Sequence, residues 1–192
     1  RRVVAGPGSM GVFRGRDLAF FDVPVAPAQP GIGRRPLPGP WKDPSVTRTL
    51  ALSAPAKINL FLEILGRRPD GYHTLSTLFQ QVSLGDRLSV TPSPRPGISL
   101  SCSDPSVPVD GRNLVVRAAE LFSGRPLPPG LRFRLTKRVP AGAGLGGGSA
   151  DAAAALRLLW EMSGGSSERF PAGRFLPVTR RLGADVSFFF KG

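Results

Sequence analysis

VPAGAGLGGGSADAAAALRLL, residues Val139 to Leu159, changes character halfway along. Gly142, Gly144, Gly146, Gly147 and Gly148 crowd its first half, and an alanine-rich helical pattern fills the second. The segment before it, LRFRLTKRV, alternates Leu131, Phe133 and Leu135 with Arg132, Arg134 and Thr136, the period of a half-exposed strand. A strand that runs through a glycine-rich loop into a helix sets backbone N–H groups, unobstructed by side chains, at the positive end of a helix dipole. That is a cradle for an anion. Ser149, at the helix start, can cap the helix or turn its hydroxyl toward a phosphate-bound metal, and Asp151 in the first turn complements the dipole.

Several readings of this loop compete. A Walker A loop needs Gly-Lys followed by Ser or Thr, and no lysine lies between Pro140 and Ala150. Gly142, Gly144 and Gly147 satisfy GxGxxG, but SGGSSERFPAGRF after the helix lacks the buried second strand, ending in an acid, that a dinucleotide fold requires. A flexible linker does not account for the strand and strong helix on either side.

Outward from the loop, DGRNLVVRAAELFSG spaces Leu114, Val115, Ala118, Ala119 and Phe122 as a helix, with Asn113 as N-cap and Gly124 as stop. LALSAPAKINLFLEILG, from Leu50, reads as a strand, and RRPDGYH follows as a loop with an Asp-Gly turn. TLSTLFQQVSL and DRLSVTPS read as two further strands, with Gly85-Asp86 suiting a hairpin between them. ISLSCS is another short strand, LPVTRRLG a weaker helix, and the apolar FFF run precedes Lys191-Gly192. Strands, helix, strand, loop and helix in this order predict an α+β domain rather than an alternating parallel sheet.

Composition bounds the rest. With 192 residues, 41% of them hydrophobic, the chain is long enough for one domain with a substantial core. A net charge of +13 raises nucleic-acid binding, yet the arginines are scattered and form no basic arm. Cys102 and His73 are the only residues of their types, which excludes an internal disulfide and a Cys/His zinc site and favours a reducing, cytoplasmic setting. No apolar run approaches the ~20 residues of a membrane span. Residues 1–49, rich in Pro, Gly and Arg, are expected to be a disordered or non-native extension, with a plastid transit peptide as the alternative; residues 50–192 are the folded domain. The missing initiator methionine and the abrupt end after FFF lead to the expectation of a fragment.

Three stretches together carry a resemblance. PAGAGLGGGSADAA resembles the phosphate-binding motif of the GHMP kinases, PAKINLFLEILGRRPDGYHTLSTLFQQVSLGDRL (Pro55–Leu88) the N-terminal signature of their branch acting on 4-diphosphocytidyl-2-C-methyl-D-erythritol, and LGADVSFFFKG the segment with its catalytic aspartate. The resemblance covers roughly residues 53 to 192. It implies a ribosomal-protein-S5-like domain and ATP-dependent phosphorylation of that substrate's 2-hydroxyl, in the non-mevalonate route to isoprenoid precursors. Catalysis falls to Lys57 and Asp185. ATP would lie on Pro140, Ala141, Gly142, Ala143, Gly144, Leu145, Gly146, Gly147, Gly148, Ser149 and Ala150, with Mg2+ at Ser149. Asn59, Tyr72, His73 and Phe79 would hold the cytidine diphosphate methylerythritol.

Departures exist: Ser149-Ala150 where the family often has two serines, and Asp185-Val186-Ser187 where it commonly has Asp-Val-Pro. The family's C-terminal domain has no counterpart in the sequence, so impaired activity is expected of this chain. The resemblance implies no nucleic-acid or membrane partner. The alternatives are a basic RNA-binding module of the same fold and a GHMP kinase for another small molecule, such as homoserine or mevalonate.

Overall fold

The computed structural model describes residues 10–14, 17–21, 48–67, 73–122 and 126–190. Tyr72, the Asp-Gly turn before it, and Gly124 lie outside the described residues, and of His73 only the backbone is described.

Strand β3 (Leu50–Arg67) pairs antiparallel with β4 (His73–Ser93) along nearly its whole length. On its other edge β4 meets two partners in succession. Residues 76–79 pair with β1 (Met10–Arg14), itself paired with β2 (Asp17–Phe21), and residues 87–93 pair with β6 (Gly130–Thr136). β5 (Gly97–Cys102) lies parallel to β6 on the far side, and the crossover between them carries helix α1 (Leu114–Leu121). The sheet is therefore mixed and the architecture α+β, as the element order predicts. The β1–β2 pair falls within the segment expected to lack regular structure, where its backbone pairs with the outer half of β4.

One expectation is corrected. The sequence signals at Gly85-Asp86 predict a hairpin, but β4 runs straight through them. Gly85 has no positive φ, which a two-residue hairpin turn of the Asp-Gly kind requires. The signals mark an irregularity instead: Pro55 faces Gly85 and Lys57 faces Gln81, so Val82–Leu84 stand opposite Ala56 alone. Glycine is needed because a Cβ at residue 85 would lie 2.9 Å from the Ala54 carbonyl oxygen.

This bulge changes which residues face the helices. On β4 the buried positions are even-numbered on one side of it (Asp86, Leu88, Val90) and odd-numbered on the other (Thr77, Phe79). On β3, Leu50 and Ala54 are buried before it and Lys57 after it. A strict period of two would have turned Lys57 away from the core side.

Helix α2 (Gly147–Met162) packs on α1, β3 and β4, with Ala152 to Ala155, Leu156, Leu158 and Leu159 buried. Its alanine run lets the helix lie close to the sheet. Helix α1 starts as predicted, with the Asn113 side chain accepting from the Val115 N–H at 2.9 Å. The remaining wall comes from α3 (Ala172–Leu182) and a 3₁₀ segment, Ala184–Phe190, whose Phe188, Phe189 and Phe190 are all buried. Phe190 contacts Phe170, while Phe188 meets Phe79 edge-on at 5.2 Å between centroids.

Candidate active site

The loop between β6 and α2 is shaped by glycines at left-handed backbone angles: Gly142 at φ 74°, Gly144 at 73° and Gly146 at 71°. At Gly142 and Gly144 a side chain would meet nothing within 4 Å, so there the glycines serve backbone shape and leave the surface open. Helix α2 begins immediately afterwards, and its first N–H groups lack intrahelical acceptors. Residues from Pro140 to Ser149, together with Asn113, Lys137 and Asp151, line a cavity of about 380 Å³ over that helix start. Of the two roles open to Ser149 the cap is excluded: Gly146 occupies the N-cap position, and Ser149 is the third helical residue and lines the cavity.

The other side of Gly146 meets a different group of residues. A Cβ there would lie 3.0 Å from Lys57 Cγ and 3.1 Å from Phe189 Cζ, so the loop rests directly on the lysine side chain. The Lys57 N–H donates to the Leu145 carbonyl at 2.9 Å. Its ammonium donates to Asn59 Oδ1 at 2.6 Å, stands 4.0 Å from Asp185 Oδ2, and lies 4.7 Å from the Phe79 ring centroid. Four of the residues that the sequence singles out thus converge: Lys57, Asn59, Phe79 and Asp185. Lys57 is buried, whereas the Asp185 side chain is 37% exposed and open to an incoming molecule. Ser187, where proline is common in the resembling family, donates its hydroxyl to the Ala184 carbonyl within the same 3₁₀ segment.

Beneath the loop lies a charged cluster that sequence reasoning misses. Asp86 is fully buried; its Oδ1 accepts from the N–H groups of Arg138 and Val139, and its Oδ2 from the Lys137 ammonium. Lys137 also donates to Asp151 Oδ2 at 3.0 Å, leaving Asp151 Oδ1 buried with no hydrogen-bond partner. Burial, with the Asp86 carboxylate adding to it against the pull of Lys137, pushes the Asp151 carboxyl up to about 7. Burial works against the charge on Lys137, but hydrogen bonds and charge from Asp86 and Asp151 outweigh it and hold the ammonium above its ordinary range. The dipole role expected of Asp151 is corrected: it is the fifth residue of α2, outside the first turn, and belongs to this charged cluster instead. Lys137 was legible only as the residue that breaks the β6 alternation, and Asp86 was hidden inside a turn signal.

Among the described residues no group of three His, Cys, Asp or Glu could hold a metal, and no helix is long and apolar enough to cross a membrane. Exposed Arg87, Arg132 and Arg134 share the outer face of the sheet with Ser89 and Thr91 at the paired positions. Aromatic stacking groups, which an RNA surface would interleave with them, do not occupy those positions.

Residues 113–192 match the family model described as the GHMP kinases N terminal domain. The chain is 46% identical over 147 residues to the 4-diphosphocytidyl-2-C-methyl-D-erythritol kinase of Desulfotalea psychrophila, an alignment covering 75% of this chain and 48% of that protein. To its namesake from Salinibacter ruber it is 48% identical over 145 residues, covering 73% and 48%. A crystal structure of 4-(cytidine 5'-diphospho)-2C-methyl-D-erythritol kinase superposes with a TM-score of 0.58 at 44% identity, over 73% of this chain and 48% of that one. The chain spans about half the length of these relatives.

Proposed function

From the premise that this chain carries the N-terminal domain of the GHMP kinases, we propose that it supplies the ATP cradle and the catalytic pair for phosphorylating the 2-hydroxyl of 4-diphosphocytidyl-2-C-methyl-D-erythritol. The observation that carries the reading is that Lys57 meets the glycine loop at Gly146 and Asp185 at its ammonium. Phosphoryl transfer asks for little covalent help from a protein. It asks for positioned charge.

In this reading the N–H groups of the loop and of the first turn of α2 hold the phosphates of ATP. The substrate hydroxyl reaches the open side of Asp185, which accepts its proton. The Lys57 ammonium, 4.0 Å from that carboxylate, offsets the negative charge that spreads over the transferring group. Phe79, with Tyr72 and His73, serves the substrate pole. The Ser149 hydroxyl, which lines the loop cavity, would be the protein oxygen available to a phosphate-bound Mg2+, and the metal would supply charge neutralisation on the phosphates.

The test combines nucleotide binding by equilibrium dialysis with ADP release in the presence of the cytidyl substrate, homoserine or mevalonate. Saturable ATP binding is expected, with ADP release accelerated by the cytidyl substrate alone. Turnover lower than in a protein of full family length is expected, since the chain spans about half of its relatives. A folded chain that binds RNA in a salt-dependent way and takes up no ATP would overturn the reading.

A further inference from the structure

Lys57 sends its ammonium to an asparagine, and an asparagine amide has two unlike ends. Only its oxygen can accept from an ammonium; its NH₂, turned inward, would face the positive charge. What decides the orientation lies one step further on, at Thr77 of β4. This residue is buried, 4% exposed, and shares a sheet face with Phe79; in the β3 register Phe79 stands opposite Asn59 and Thr77 opposite Leu62. Its hydroxyl donates to the Phe61 carbonyl at 2.8 Å. A hydroxyl has one proton, and a carbonyl can only accept, so Thr77 Oγ1 has no proton left for Asn59. Toward Asn59 it is an acceptor. The Asn59 Nδ2 donates to it at 2.9 Å, and the amide oxygen is thereby turned to Lys57.

We propose that Thr77 is a positioning residue for the phosphoryl-transfer site: through its bond to the Phe61 carbonyl it fixes the Asn59 amide so that its oxygen, not its nitrogen, holds the Lys57 ammonium beside Asp185. The polarity of the whole line is set by the Phe61 carbonyl, a backbone group that side-chain rotation cannot reverse. Phe61 in turn follows the second β3 irregularity, between Asn59 and Phe61, which brings that carbonyl within reach of a β4 side chain. The proposal rests on the kinase reading for the importance of Lys57, but the hydrogen-bond relay itself does not depend on it.

The test therefore reads Lys57 directly. The full chain is acylated with limiting acetic anhydride, and modification at Lys57 is followed by peptide mass spectrometry, with Lys137 as the internal control for an intact fold. Removing the acceptor in Thr77→Val frees the amide to rotate, and Lys57 is expected to react about tenfold faster, as loss of one hydrogen bond to a charged group implies. Thr77→Ser keeps the hydroxyl and should react as the native chain does. In an Asn59→Asp background a carboxylate presents oxygen either way, so adding Thr77→Val should change nothing.

Native-like Lys57 reactivity in Thr77→Val overturns the proposal, as does a serine variant that reacts like the valine one, or a valine effect of equal size in the aspartate background. If Lys137 reactivity rises in parallel, the valine chain has lost its fold, and Thr77→Ala is read by the same criteria in its place. Absence of ATP uptake alongside the expected Lys57 pattern would refute the kinase reading and leave the relay standing. Where turnover is measured, Thr77→Val should lower kcat and leave KM for ATP within about twofold, because Thr77 has no place in the nucleotide cavity.

Discussion

The backbone N–H of Lys57 donates to the carbonyl of Leu145 at 2.9 Å, so the residue that aims its ammonium at Asp185 also anchors the glycine loop. Strand β3 and the loop are 88 residues apart in sequence, by the difference between positions 57 and 145. Through this bond the geometry of the loop and that of the Lys57–Asp185 pair are set together.

Gly146 is where the two sites touch, and it tolerates no side chain. Gly146→Ala would place an L-residue at φ 71° and press its methyl against Lys57 Cγ and Phe189 Cζ. The expected cost is about 1–3 kcal/mol of stability, from left-handed strain plus displaced packing. Urea denaturation measures it, and ATP binding should weaken in the same variant.

Asp185 faces solvent beside Lys57 and is absent from the lining of the loop cavity. Asp185→Asn should lower phosphoryl transfer by roughly 10²–10⁴-fold, the range for loss of a general base. Nucleotide binding, measured by dialysis, should be little changed. A parallel loss of both would mean that the carboxylate holds the nucleotide rather than the proton.

Asp86 ties the end of β6 to β4 through Lys137 and two backbone N–H groups. Asp86→Ala would leave a buried ammonium short of a partner and two N–H groups unpaired, at a cost of about 3–5 kcal/mol. Chemical denaturation should show the loss at neutral pH. Because Arg138 and Val139 lead into the loop, faster amide exchange there should accompany it.

The Asp151 carboxyl gives a pH dependence whose sign is fixed. Unfolded, it ionises near its ordinary 3.8; folded, burial holds the proton on until about 7. Between those values the native state carries a proton that the unfolded chain lacks. The stability contributed by this group is complete below pH 3.8, declines as pH rises, and is gone above about 7. Asp151→Asn, neutral throughout, should flatten that part of the profile and be more stable than the native chain at pH 8, as read from urea midpoints.

Much of the candidate site was legible in local sequence. The alternation of Leu131, Phe133 and Leu135 and the alanine-rich run after Ser149 each obey a period that short-range geometry sets, so β6, the loop and α2 appear where expected. Asn113 caps α1 because a cap is likewise a local bond. The hairpin at Gly85-Asp86 failed for the opposite reason. Glycine and aspartate carry the same signal whether the chain turns or bulges, and only the partner strand distinguishes the two.

By itself, then, the sequence determined β6, the glycine loop, α1, α2 and the α+β order, since all of these follow from backbone preferences acting over a few residues. The tertiary structure alone decided that Lys57 faces Asp185 and that Asp86, Lys137 and Asp151 share one buried charge cluster. The bulge between β3 and β4 changes which side chains turn inward, and no single strand's period contains it. Desolvation then makes the charged cluster consequential, because the carboxyl that would be an ordinary surface acid in an isolated helix is enclosed beside a second carboxylate.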